Sequence, residues 1–212
     1  DILKLKNSGV DMVFMPEKKF NNNDSFTLNV DQYSKKLCGL KRIGHFEGVA
    51  TIILKFLFLI QPDNIFLGEK DYQQILVIKK VIRDFNFNTK VVAVQTLRDK
   101  NGVAFSSRNQ FVKDYSSLQQ IYKNLRFIKE SILMKKFSLS QLKSVKHNLI
   151  NSGIDKVNYL ELLKESDLSN LDSVPTKSRL FISVKIEDVN LIDNISVNKK
   201  LWIGKNSLIK FS

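Results

Sequence analysis

Short apolar runs closed by Pro or Gly alternate with longer stretches of helical period through the first half of the chain. Residues 2–9 pattern as a helix that stops at Gly9. VDMVFM, residues 10–15, is closed by Pro16 and predicts a buried strand. FTLNV, residues 26–30, alternates and predicts another strand, with the NNND before it as loop. KKLCGLKRIGHFEG, residues 35–48, holds three Gly and predicts a structured loop. The apolar residues 45–61 predict a helix stopped by Pro62. Residues 64–67 predict a second buried strand that ends at Gly68. Beyond it, Ile75, Ile78, Ile82 and Phe85 recur at helical spacing, with Lys79, Lys80 and Arg83 between them. KVVAVQT, residues 90–96, predicts a third strand.

Strand, helix, strand, helix, strand predicts parallel βαβ units, hence an α/β fold with a partial Rossmann-like sheet. Past residue 97 the character changes. Asn101-Gly102 lies between apolar arms and predicts a hairpin. A helical region is expected over residues 116–151, then short strands at NYLELL, RLFISVKI and VNLIDNI. The pattern predicts two units: residues 1–97 as the Rossmann-like part and residues 98–212 as a smaller α+β domain.

Composition changes this picture little. With 43% hydrophobic residues among 212, the chain can bury a core. Net charge is +13, yet only six of the 34 basic residues are Arg, and the Lys are scattered. That argues against a nucleic-acid partner. The longest apolar run is interrupted by Lys55 and falls short of the ~20 residues a membrane span needs. The single Cys38 excludes an internal disulfide and fits a reducing compartment. The opening residues carry no signal-peptide pattern, so a cytoplasmic protein is expected.

Three stretches carry candidate chemistry. FLGEKDYQQ, residues 66–74, places Gly68 after a parallel strand and before a helix. Ligands gather at such strand ends, and Gly lets an anion approach the backbone. Lys70 in the first helical turn is unfavourable for the helix dipole unless an anion sits there. Lys70 and Gln74 share one helix face. A solvated strand–turn–helix is the plainer reading. FSSRN, residues 105–109, offers two hydroxyls and a guanidinium to a triphosphate; a polar loop with Ser as N-cap is the alternative. KRIGHFEG, residues 41–48, puts Arg42 and His45 around a Gly, for carboxylate binding or for capping. Metal ligation by protein side chains is not expected from one Cys and two distant His.

Together LCGLKRIGHFEGVATIILK, QPDNIFLGEKDYQQ, VIRDF, TLRDKNGVAFSSRN and VNLIDNI closely resemble the pantothenate synthetase (pantoate–β-alanine ligase) family over residues 9–195. The resemblance implies a nucleotidyl-transferase type of sheet and a two-step, ATP-dependent ligation. Pantoate and ATP would give pantoyl adenylate and pyrophosphate, and β-alanine would then displace AMP. It implies ATP contacts at Gly68, Glu69, Lys70, Asp71, Leu97, Phe105, Ser106, Ser107 and Arg108. Lys70, Ser106, Ser107 and Arg108 would be catalytic. Gln74, Arg42 and His45 would bind the carboxylate substrates. Mg²⁺ would travel on the phosphates, and a homodimer is expected. The chain departs from the family at Ile43, where Pro is usual, at Phe58, where Asn is usual, and at Phe105, where Met or Leu is usual. The family's His-x-Gly-His segment has no counterpart here. The resemblance therefore implies the C-terminal two thirds of an enzyme, and an inactive, scaffolding protein is the alternative.

Overall fold

The computed structural model describes residues 2–17, 28–171 and 177–198. It opens with a short helix, α1 (Ile2–Asn7), which ends at Gly9 with a φ of 73°. Two one-turn helices follow, α2 (Asp31–Ser34) and α3 (Cys38–Lys41), then the long α4 (His45–Ile60). β1 (Asn64–Gly68) runs into a 3₁₀ turn (Glu69–Asp71) and α5 (Tyr72–Asp84). β2 (Lys90–Val94) pairs parallel with β1, from Asn64 opposite Lys90 to Gly68 opposite Val94. The βαβ crossover predicted for these residues is therefore present.

The second half holds a 3₁₀ turn (Ser107–Phe111), α6 (Tyr115–Leu133) and α7 (Gln141–Asn151). A three-stranded antiparallel sheet follows: β3 (Lys156–Lys164), β4 (Ser178–Ile186) and β5 (Val189–Ser196), in that order. The three sequence-predicted strands are all there. The single helical region expected over 116–151 is instead two helices, because Lys135 turns the chain with φ 56°.

Alternation along β3 and β4 explains the layering. Leu160, Leu162, Leu180, Ile182 and Val184 face α6 and α7. Their neighbours Tyr159, Leu163 and Phe181 face the opposite way, into the core of α4 and α5. A strand shows alternate residues to opposite faces, so one sheet serves two cores. The packing thus crosses the boundary near residue 97.

Two backbone features hold the turns. In the hairpin, Gly102 has φ 88°, and a Cβ there would stand 2.1 Å from the Tyr122 ring. Arg98 bridges Ala104 across it, and the Phe105 amide donates to the Leu97 carbonyl at 3.0 Å. The β4–β5 turn is made by Glu187 and Asp188, with φ of 46° and 66°. Two residues of positive φ are the geometry of a type I′ turn. Neither is Gly or Asn, and the cost is offset locally: the Glu187 carboxylate accepts from the Lys113 and Asp114 amides.

Three expectations are corrected. Residues 10–15 are not a buried strand. No strand among the described residues pairs with them, so no ladder can form, and Met12 is 84% exposed. Phe14 packs edge-on against Phe56 of α4. β1 and β2 are paired but not fully buried. Ile65, Leu67 and Val91 pack toward α4 and α5, while Phe66 and Val92 lie on the uncovered face. Of FTLNV, Phe26 and Thr27 lie outside the described residues, and Leu28–Val30 forms no strand.

The hairpin is tied to the sheet by a buried ion pair. Arg98 donates to both carboxylate oxygens of Asp193, at 2.6 and 2.8 Å, with side chains 5% and 3% exposed. Its guanidinium also lies 4.2 Å over the Tyr122 ring and donates to the Gly102 carbonyl at 3.1 Å. Removing one partner leaves a buried charge alone, so Arg98→Met is expected to cost roughly 3–5 kcal/mol in urea denaturation. The double variant Arg98→Met/Asp193→Leu should lose less than Arg98→Met. A double variant less stable than the single one would refute this account of the pair.

Candidate active site

A cleft of about 850 Å³ opens between the end of β1, the 3₁₀ turn after the hairpin and the face of the antiparallel sheet. Arg42, Lys70, Asp71, Ser106, Ser107 and Arg108 all line it. These residues lie far apart in sequence, and three separate motifs meet there. A smaller recess shares Arg42, Lys70 and Asp71 with the cleft and adds His45 and Gln74.

Each wall has a local cause. Lys70 reaches the cleft because β1 ends at Gly68 and the chain turns through Glu69–Asp71 before α5 begins. Arg42 follows α3, whose Gly39 allows a close backbone crossing: a Cβ there would lie 2.2 Å from the Ser34 carbonyl oxygen. Gln73 pins the same corner. It is buried; its amide donates to the Tyr33 and Lys36 carbonyls, each at 2.8 Å, and accepts from the Cys38 amide at 3.2 Å. Ser106 caps the turn that follows it, accepting from the Arg108 amide at 3.2 Å. The capping reading of SSRN and the presence of these residues in the cleft therefore both hold. Arg108 donates to the Asn190 carbonyl at 3.0 Å.

The remaining sequence-picked residues lie differently. Glu69 is buried, with its carboxylate 3.7 Å from Arg179 and turned away from the cleft. Gly68 closes β1. Leu97 and Phe105 sit side by side at the base of the hairpin, 60% and 64% exposed.

Sequence reasoning missed the sheet wall. Asn158, Tyr159, Ser183 and Asn190 line the cleft, joined by Asn158 hydrogen bonds to Ser183 and Asn190, each at 3.2 Å. Alternation along β3 and β4 was the available signal, but it does not say which face meets a ligand. Cys38 also lines the cleft, its Sγ 3.0 Å from the Tyr159 hydroxyl. Burial pushes the thiol pKa up, and the Tyr159 contact offsets this only partly. A raised thiol pKa lowers the thiolate fraction on which nucleophilic work depends.

Charge decides what the cleft can hold. Lys41, Arg42, Lys70 and Arg108 face Asp71, the sole carboxylate among its described lining residues. Four cations around one acid favour a polyanion. In the recess, Arg42 Nη1 lies 2.8 Å from His45 Nε2. Guanidinium only donates, so the imidazole accepts at Nε2 and is neutral, with its proton on Nδ1. Burial first, and then the Arg42 charge, hold the His45 pKa below its ordinary value.

Comparison with known proteins gives the family. Residues 1–196 match the family model described as pantoate-beta-alanine ligase. A bifunctional pantoate ligase/cytidylate kinase from Prochlorococcus marinus is 38% identical over 91% of this chain, which spans 39% of that protein. The pantothenate synthetase of Carboxydothermus hydrogenoformans is 32% identical over 92% of the chain, which spans 71% of it. The crystal structure of pantothenate synthetase from Thermus thermophilus superposes with a TM-score of 0.85 at 28% identity, covering 93% of this chain and 74% of that one. The pantoate-beta-alanine ligase of Francisella tularensis, solved with Beta-gamma ATP and beta-alanine, has a TM-score of 0.73 at 28% identity and covers 94% of this chain and 70% of that one. With its family model matched over nearly its whole length and its fold shared with solved members, the chain belongs to the pantoate-beta-alanine ligase family.

Proposed function

We propose that this chain carries active-site residues of an ATP-dependent ligase that joins pantoate to β-alanine. The observation that carries the reading is the convergence of Lys70, Ser106, Ser107, Arg108 and Arg42 on one cationic cleft. Family membership and the solved relative's ATP and β-alanine support it.

In the first step a pantoate carboxylate oxygen attacks the α-phosphorus of ATP. The bond from that phosphorus to the bridging oxygen breaks, and pyrophosphate leaves with its electron pair. In the second step the β-alanine amine attacks the acyl carbon, loses a proton and expels AMP. Neither step needs a covalent bond to the protein. The protein must hold anions together, neutralise charge that builds on leaving oxygens and exclude water from the anhydride.

Lys70 and Arg108 supply that charge, as a point cation and a planar fork respectively. Ser106 and Ser107 donate hydroxyl hydrogen bonds to phosphate oxygens, and Lys70 and Asp71 meet the nucleotide's phosphate chain, with Gly68 and Glu69 contributing backbone behind them. Leu97 and Phe105 flank the adenine side as apolar groups already exposed. Arg42 and Gln74, sharing the recess, orient the pantoate carboxylate and hydroxyls, and neutral His45 serves there as a hydrogen-bonding group. A Mg²⁺ carried on the phosphates would meet Asp71, the carboxylate of the cleft. When bound it would add positive charge to the phosphates. In this reading residues 1–97 and 98–212 are functional units that give opposite walls of one cleft. A cytoplasmic homodimer belongs to the same proposal, and sedimentation velocity tests the dimer. Among the described residues no helix is long and apolar enough to cross a membrane.

Pantoate-dependent ATP–pyrophosphate exchange tests the reading. Lys70→Ala is expected to lower the exchange rate by about 10²–10³-fold, the usual loss for one electrostatic donor to a developing charge. An exchange rate within about two-fold of the unaltered protein would remove Lys70 from the mechanism. Nucleotide binding with no exchange in the unaltered protein would mark a binding scaffold instead.

His45 gives a pH test. Its folded pKa lies below the unfolded value of about 6.5, so the unfolded chain takes up the proton first. Its contribution to stability is full above that value and is lost as pH falls through the folded pKa. NMR titration should place His45 below free histidine, and Arg42→Ala should move it upward. An unmoved titration in that variant would deny the Arg42–His45 coupling.

A further inference from the structure

We propose that Asn194, on β5, is a positioning residue for Lys70, clamping the turn that presents the ammonium to the cleft. The proposal rests on the catalytic reading above for its purpose, but its geometry stands apart from it.

The Glu69 and Lys70 carbonyls lie just before α5, whose N-cap, Asp71, has φ −99° and ψ 50°. Asp71 makes no side-chain capping bond, so the helix start does not hold the turn by itself. The hold comes from the far end of the chain. The Asn194 side-chain amide donates to the Glu69 carbonyl at 2.9 Å and to the Lys70 carbonyl at 2.8 Å. Both amide hydrogens are thus spent on two consecutive residues, 125 and 124 positions away in sequence.

The amide's orientation is not free. Its Oδ1 accepts a hydrogen bond from Arg179 Nη1. Guanidinium has no acceptor, so Oδ1 must face Arg179 and Nδ2 must face the carbonyls. Arg179 is itself fixed on three sides. It donates to Glu165 at 3.2 Å, lies 3.7 Å from Glu69 and stacks 3.8 Å over the Tyr72 ring. The Asn194 backbone is held too, since Arg98 donates to its carbonyl at 3.3 Å. Asn194 is 5% exposed, so water cannot stand in for its amide at the two carbonyls.

Asn194 does not line the 850 Å³ opening; it borders the smaller recess, where its amide is already engaged by Arg179 and by the Glu69 and Lys70 carbonyls. It therefore acts through Lys70. Any movement of β5 relative to β1 is transmitted to the turn, which makes the second sheet a determinant of where the phosphate-side cation stands.

Asn194→Asp separates this clamp from packing. The variant keeps the size and still accepts from Arg179, but its carboxylate cannot donate to the carbonyls. Amide hydrogen exchange over residues 69–72 should quicken by about ten-fold or more, while core amides of β3 and β4 change by less than about two-fold. Affinity for a non-hydrolysable β,γ-substituted ATP analogue, measured by calorimetry, should fall by about ten-fold. Exchange that is unchanged, or raised equally everywhere, would overturn the clamp. Local loosening with unchanged analogue affinity would overturn its service to the site. Should the variant not fold, the unaltered protein decides. The Asn194 side-chain amide protons should exchange about 100-fold more slowly than a free carboxamide, and free-amide rates would overturn the proposal. If the unaltered protein binds no analogue, the catalytic reading fails, and the exchange data still settle the clamp by themselves.

Discussion

Arg98 and Asp193 meet in a dry interior, and the placement of the cleft follows from that meeting. Arg98 stands at the base of the hairpin that follows β2, and Asp193 lies in β5. Their two parallel hydrogen bonds fix angle as well as distance. The hairpin then leads directly into Ser106–Arg108, so orienting its base orients the hydroxyls and guanidinium on the cleft. A buried pair of this kind is weak evidence for extra stability, because desolvation offsets much of the attraction. Its value here is geometric.

The same principle recurs one layer over. Buried Arg179, Asn194 and Glu69, with half-buried Glu165 at the edge, form a second polar group, joined to the first where Asn194 follows Asp193 on β5. Polar groups in a core demand complete partners, and that demand leaves few alternative arrangements. An apolar contact between the sheet and the β1–α5 turn could slide; directed bonds to two carbonyls cannot. The antiparallel sheet thus does two jobs. Its apolar residues glue α6 and α7 on one side and α4 and α5 on the other. Its few polar residues set the turn that carries Lys70.

The cleft itself follows from charge held on separate supports. Four cations stand around one carboxylate on walls built from α3, the β1 turn, the post-hairpin turn and the sheet. Their mutual repulsion is tolerated because each sits at a rim open to solvent and several lean on neutral acceptors. Lys41 donates to Asn158 at 3.0 Å, and Arg108 to the Asn190 carbonyl. In the proposed reading such contacts would hold the cations in place for a polyanion, as electrostatic preorganisation requires.

Much of this was readable in the chain as written. The strands at residues 64–67, 90–96 and VNLIDNI, the helix after Gly68 and the Gly102 hairpin all announce themselves by period, Pro and Gly. The motifs holding Lys70 and Ser106–Arg108 were legible as polar residues after a strand or a turn, and their order matched one family. Three things were not legible. Residues 10–15 have strand composition, but a strand exists only where another edge accepts its hydrogen bonds. The β4–β5 turn uses Glu187 at positive φ, against its local preference; bonds from the Lys113 and Asp114 amides to its carboxylate make it possible. Asn194 reads as one more residue of a final strand, yet it holds a turn 124 positions earlier. Local sequence determines which segments can be helix or strand and which residue types can meet a phosphate. Only the tertiary structure decides which of those residues share a cleft, because that depends on directed contacts between segments that periodicity never compares.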